Sequence, residues 1–155
     1  MTTYAILAVV VCAISSPAAA QTPCDLQGTW DLVSLKYDGQ QTPPTLKSMK
    51  IFTKSRFASV GLDTKHHGPL HGAAELLDFY SSLMVVGGSY TVNGNTLTET
   101  LDYFADPAYL GLSLTFQCRQ EGDRLFQTGT LPVFSNGKKT RDATLDEVWR
   151  RVERP

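Results

Sequence analysis

The sequence predicts an all-β fold, an up-and-down antiparallel β-barrel of about eight strands with one short helix. Three observations carry that prediction. Short runs rich in β-branched and aromatic residues recur along the chain, each bounded by Gly, Pro, Asn or Asp. The clearest pair flanks Asn93-Gly94, the dipeptide that best tolerates the positive φ angles of a type I′ turn, so residues 88–104 should fold back as a hairpin. Only the stretch 73–84 replaces this punctuation with helical spacing.

Taken in order, Met1 to Ala20 holds no charged side chain, runs apolar from Tyr4 to Ile14, and ends in Ala18-Ala19-Ala20 before Gln21. That pattern predicts a secretory signal peptide cleaved near Ala20. Its apolar run is shorter than the about 20 residues that span a bilayer core, and no later stretch is apolar for longer, so no membrane insertion is expected. Removal of the signal leaves 155 − 20 = 135 residues (21–155), enough for one domain with its own core. The formal net charge of −1 gives no electrostatic footprint for nucleic acid. A monomer or homodimer, secreted or periplasmic, is the expected form.

Cys12 leaves with the signal, so the exported chain keeps Cys24 and Cys118. In an oxidising compartment these two pair with each other, closing a loop of 118 − 24 = 94 residues. The rival reading, a reactive thiol at Cys118, lacks a flanking segment both basic and helical to lower its pKa.

Residues 26–37 read as the first strand, broken by the polar stretch 38–45. Two further strands, 47–53 and 56–62, are joined by a tight Lys54-Ser55 turn. A loop follows, and then Ala73, Leu76, Leu77, Tyr80 and Met84 make one apolar face of a helix that Gly87-Gly88 should end. Such a lone helix is expected to cap one end of the sheet or pack on its side. After the hairpin and a loop at 105–111, residues 112–119 alternate apolar with polar as a half-buried strand does. Gly122 turns the chain into 124–130, Ser135 to Lys139 makes another turn, and 145–153 should close the barrel.

Gly28-Thr29-Trp30 on the first strand and Trp149-Arg150-Arg151 on the last resemble the calycin arrangement of lipocalins and fatty-acid-binding proteins. The resemblance implies that one arginine, Arg150 or Arg151, lies over Trp30 and closes one end of the barrel. Alternation in a strand allows only one of them to reach it. The chain also resembles the bacterial and fungal lipocalin-like domain group in Leu26 to Ser34, Ala73 to Val92, Gly122 to Leu125 and Trp149 to Val152. That similarity implies a cavity for a small, mostly apolar molecule; no cofactor is expected.

Glu99 alternates with Leu97, Leu101 and Tyr103, which places a carboxylate on an otherwise apolar face. If that face lines the barrel, Glu99 either fixes the polar end of a ligand or acts as a general acid or base. It would be structural if paired with an interior arginine such as Arg56 or Arg119. Trp30, Tyr90, Glu99, Leu101, Tyr103, Phe116 and Phe126 are the expected lumen residues, although aromatics would equally fill a solid core. His66, His67 and His71 are the only histidines; Gly68 and Pro69 interrupt them, so an exposed loop is expected and no metal site. The leading expectation is a binder of a small hydrophobic or amphipathic ligand. The alternatives are an isomerase or cyclase using Glu99, or a filled barrel acting through a protein partner.

Overall fold

Four tight turns with backbone in the left-handed region, one of them Gly122-Asp123 with Gly122 at φ 60°, set hairpins of this chain. Asp38-Gly39 and Asn136-Gly137 each place both residues at positive φ (50° and 75°, 52° and 71°), the type I′ pattern that matches strand twist. At the central hairpin the loop is Gly94-Asn95, because Asn93 still pairs with Thr96. Only Gly94 takes positive φ (58°), which is the type II′ pattern. The hairpin is therefore where the sequence puts it, with the turn one residue later and of the other primed type.

The computed structural model describes residues 23–65 and 69–153. The expected signal segment, and with it Cys12, lies outside the described residues, as do His66 and His67. The strands are β1 (Gly28–Tyr37), β2 (Gln40–Gln41), β3 (Leu46–Phe52), β4 (Arg56–Asp63), β5 (Met84–Asn93), β6 (Thr96–Phe104), β7 (Ser113–Glu121), β8 (Arg124–Ser135) and β9 (Lys138–Glu153). Every neighbour is antiparallel, and β1 also pairs with β9 from Thr29↔Glu153 to Tyr37↔Leu145. This seam closes the sheet into an eight-stranded barrel, with β2 a two-residue flap on the end of β1. Closure removes the unpaired edges that an open sheet would expose.

The two ends of the barrel differ. At the base, where β1 starts and β9 ends, the lead 23–27 crosses the opening, and Cys24 is bridged to Cys118 with Cα atoms 6.4 Å apart. Leu26, Trp30, Phe52, Phe57, Leu97, Phe116 and Leu125 fill the space beneath it, all buried. At the opposite end α1 (Ala73–Ser82) and a single 3-10 turn (Pro107–Tyr109) sit on the connections around the mouth. Residues 130–135 of β8 and 138–143 of β9 pair only with each other, so this ribbon rises beyond the rest of the wall. Phe134 on the ribbon meets the Tyr109 ring edge-on at 5.1 Å, and Tyr109 stacks on Phe104 at 4.4 Å.

Two expectations are corrected here. The helix stops at Ser82, since Leu83 is already extended, and Gly87-Gly88 lie within β5 opposite β4. Gly88 is needed where it is: a Cβ there would land on the Thr100 carbonyl oxygen. Nor does α1 bury its apolar face, because Leu76, Leu77 and Tyr80 remain exposed. No helix among the described residues is long and apolar enough to cross a membrane.

Candidate functional site

Inward-facing positions stack in layers, and the middle layer is polar. Strict alternation brings Ser48, Lys50 and Phe52 inward on β3, Leu97, Glu99 and Leu101 on β6, Leu125 and Gln127 on β8, and Leu145, Glu147 and Trp149 on β9. The ladders place Trp30 beside Lys50, Tyr90 beside Glu99, and Gln127 beside Glu147. Side chains from separate walls therefore meet at one level. An eight-stranded barrel is just narrow enough for that to happen.

Lys50 Nζ is the hub of this layer. It donates to Glu99 Oε1 at 3.1 Å and to Gln127 Oε1 at 3.5 Å, and lies 3.7 Å from Glu147 Oε2. Its ammonium also sits 5.0 Å from the centre of the Trp149 ring. Glu147 Oε2 in turn accepts from Trp149 Nε1 at 2.9 Å. One cation thus faces two carboxylates. Burial pushes Glu99 above the ordinary carboxylate range, with Glu147 adding to the rise, and the Lys50 charge offsets only part of it. Burial works against the Lys50 charge as well, yet the two carboxylates outweigh it and hold Lys50 above its ordinary value. Gln127 is fully buried beside Glu99, and its Nε2 makes no hydrogen bond of good geometry.

Below this layer the barrel is packed solid. Above it, the inward side chains Leu35, Tyr37, Val86, Phe104, Tyr109 and Leu131 pack on the core while remaining only half-buried. The polar layer keeps slight access to solvent: the side chains of Lys50, Glu99 and Glu147 are 5%, 4% and 12% exposed. The mouth is thus a shallow cup with half-buried apolar walls, and the charged layer lies beneath it, under buried Ser48, Leu101 and Leu145. Its wall also splays at two places. β1 and β3 pair only over residues 28–31 and 49–52, and a 320 Å³ wedge lined by Leu32, Leu35, Pro43 and Leu46 opens above. Between β7 and the ribbon, a 420 Å³ groove reaches Leu114 past Pro132 and Phe134. A third, of 500 Å³, runs over the outer face past Met49, Val60 and Arg150.

The expected lumen residues divide accordingly. Trp30, Leu101 and Phe116 are core, with exposures of 0%, 0% and 3%, and offer no free surface. Tyr90 packs edge-on to Phe52 near the base and donates its hydroxyl to the Thr53 carbonyl at 2.7 Å. Glu99 is on the floor. Tyr103 is corrected: Gly87 pairs with Tyr103 and Gly88 with Leu101, so Asp102 is a bulged residue, the alternation slips, and Tyr103 points outward at 64% exposure. Phe126 is corrected too. It lies between inward Leu125 and Gln127 and faces out, covered by the Arg119 guanidinium at 4.0 Å.

Arg56 and Arg119 do not reach Glu99: Arg56 lies on Asp102 at 2.9 Å and Arg119 on Glu121. Arg151 lies over Trp30, its guanidinium 4.3 Å from the ring centre, and donates to the backbone carbonyls of Gln27 (2.8 Å) and Asp25. Arg150 is on the outer face beside Asp31. Among the described residues no group of three or more His, Cys, Asp and Glu is placed to hold a metal ion.

Reading the sequence missed Lys50, Gln127 and Glu147. The signal was available in alternation: Glu147 falls between Leu145 and Trp149, and Lys50 two before Phe52, as Glu99 falls between two leucines. Neither a protein-family model nor a curated protein sequence matches the chain.

Proposed function

We propose that the protein is an exported, lipocalin-like carrier that holds a small hydrophobic or amphipathic molecule in the open half of its barrel. One observation carries this reading. The inward side chains at the base are fully buried, Trp30, Leu97 and Leu125 at 0% exposure, whereas those around the mouth are half-buried although they point into the same barrel. A ligand seated there would bury apolar wall at about 25 cal/mol per Å² removed from water. The Cys24–Cys118 bridge is compatible with an oxidising compartment outside the cytoplasm, as the expected leader also suggests.

Nile red, a neutral apolar dye, tests the reading. It should bind with enhanced, blue-shifted emission and be displaced by decan-1-ol. Leu131→Arg, which sets a charge in the half-buried wall, should weaken dye binding at least about tenfold with the barrel's circular dichroism unchanged. A dye that does not bind, or that binds the variant equally well, overturns the carrier reading.

A further inference from the structure

The polar floor beneath the cup, covered in this structure by Ser48, Leu101 and Leu145, has a charge composition that an apolar carrier does not require. Lys50 on β3, Glu99 on β6 and Glu147 on β9 converge with Gln127 on β8, and the count is one ammonium against two carboxylates. The Lys50 ammonium is already engaged by three oxygens, so it has little left to offer an anionic ligand. Glu147 is the most exposed member of the layer, and only its Oε2 is engaged, by Lys50 and Trp149. Gln127, wholly buried in the same layer, leaves its Nε2 without a well-formed hydrogen bond, Glu99 being its nearest acceptor. A carboxylate in surplus calls for a donor or a cation, and a poorly bonded amide N–H calls for a better-placed acceptor.

We propose that this floor selects the ligand's head group and that the ligand is an amphipathic amine, its ammonium drawn to the carboxylate excess of Glu147 and Glu99. An oxygen next to the amine, as in an amino alcohol, would also supply a better-placed acceptor for Gln127. The inference rests on the carrier reading, since a head group reaches the floor only if the cup admits a tail. It goes further by excluding fatty acids and other anionic amphiphiles as the preferred cargo. Two like charges brought together in a partly desolvated site repel, and the one lysine present is not free to offset them.

The test is isothermal titration of the purified protein at pH 7 with three probes of one tail length: decylamine, decan-1-ol and decanoate. The expected order of affinity is amine, then alcohol, then carboxylate, with about tenfold or more between the first and last. Glu147→Gln should lower the amine-to-alcohol affinity ratio at least about fivefold. Decanoate binding as tightly as decylamine overturns the head-group inference and leaves the carrier reading standing, because a tail has still been accepted. No binding by any of the three overturns both. Should Glu147→Gln fail to fold, the probe order on the unaltered protein still decides the matter.

Discussion

Replacing Lys50 by methionine removes the one cation in the floor and keeps nearly the same volume. At an effective dielectric of about 20, its attraction to Glu99 at 3.1 Å and Glu147 at 3.7 Å is roughly 5 and 4 kcal/mol. Much of that is offset by the cost of taking three charges out of water, so the pair adds far less to net stability than these figures. Losing the cation alone is a different matter, since the carboxylates stay buried while their compensation is gone. Such broken pairs cost about 3–5 kcal/mol, which for a chain of this size lowers Tm by roughly 10–15 °C. Glu99 can escape part of the penalty by taking up a proton, so the loss should be larger at pH 8 than at pH 5. Adding Glu99→Gln to Lys50→Met should recover at least about 1.5 kcal/mol, because one of the two orphaned charges is then removed. Urea denaturation of the four proteins, disulfide intact, measures the cycle. A Lys50→Met variant within about 0.5 kcal/mol of the parent at pH 8 would refute the claim that this lysine compensates the buried carboxylates.

Three further outcomes are expected. The Glu99 pKa is raised on folding, so the folded state holds that proton more tightly than the unfolded chain; its contribution is greatest at low pH and declines as pH rises from the ordinary carboxylate value through the raised one. Glu99→Gln should flatten that part of the stability-versus-pH curve, and an unchanged slope would mean that another group sets it. Replacing Cys24 and Cys118 together by serine should cost about 4–5 kcal/mol, read as a denaturation midpoint that no longer responds to reductant, because the bridge closes a 94-residue separation. Arg151→Met should destabilise by about 2 kcal/mol or more through lost cation–π and carbonyl contacts, whereas Arg150→Met on the outer face should stay within about 0.5 kcal/mol. Equal effects would contradict the assignment of the closing arginine.

The barrel was legible because its information is local. Turn dipeptides, strand-length runs and the isolated helical period are all read within a dozen residues, and the Cys24–Cys118 pairing needed only a count. The lumen was not, for two physical reasons. Alternation is a parity, so the bulged residue Asp102 reverses every assignment beyond it, and Tyr103 left the wall while Phe104 entered it. Phe126 has no such excuse; its neighbours Leu125 and Gln127 already alternate with it, but the weight given to aromatic rings as lumen-formers hid that. The partner of Glu99 was beyond a local reading altogether. Lys50 stands 49 positions away and belongs to a wall three strands removed, so only closure makes them neighbours. A lysine in a strand ordinarily signals a solvent face, and that prior concealed the hub of the site.

The seam between β1 and β9 joins positions 28–37 to 145–153. Trp149 and Arg151, two of the groups that complete the interior, therefore leave the ribosome after every other strand of the barrel. A nascent chain lacking them can form hairpins but no ring, and its greasy strands stay unshielded until β9 has been made. Native structure should then arise only after β9 has emerged, and slowly, as befits contacts so distant along the sequence. Deleting residues 145–153 would leave an open, adhesive ribbon in place of a closed barrel.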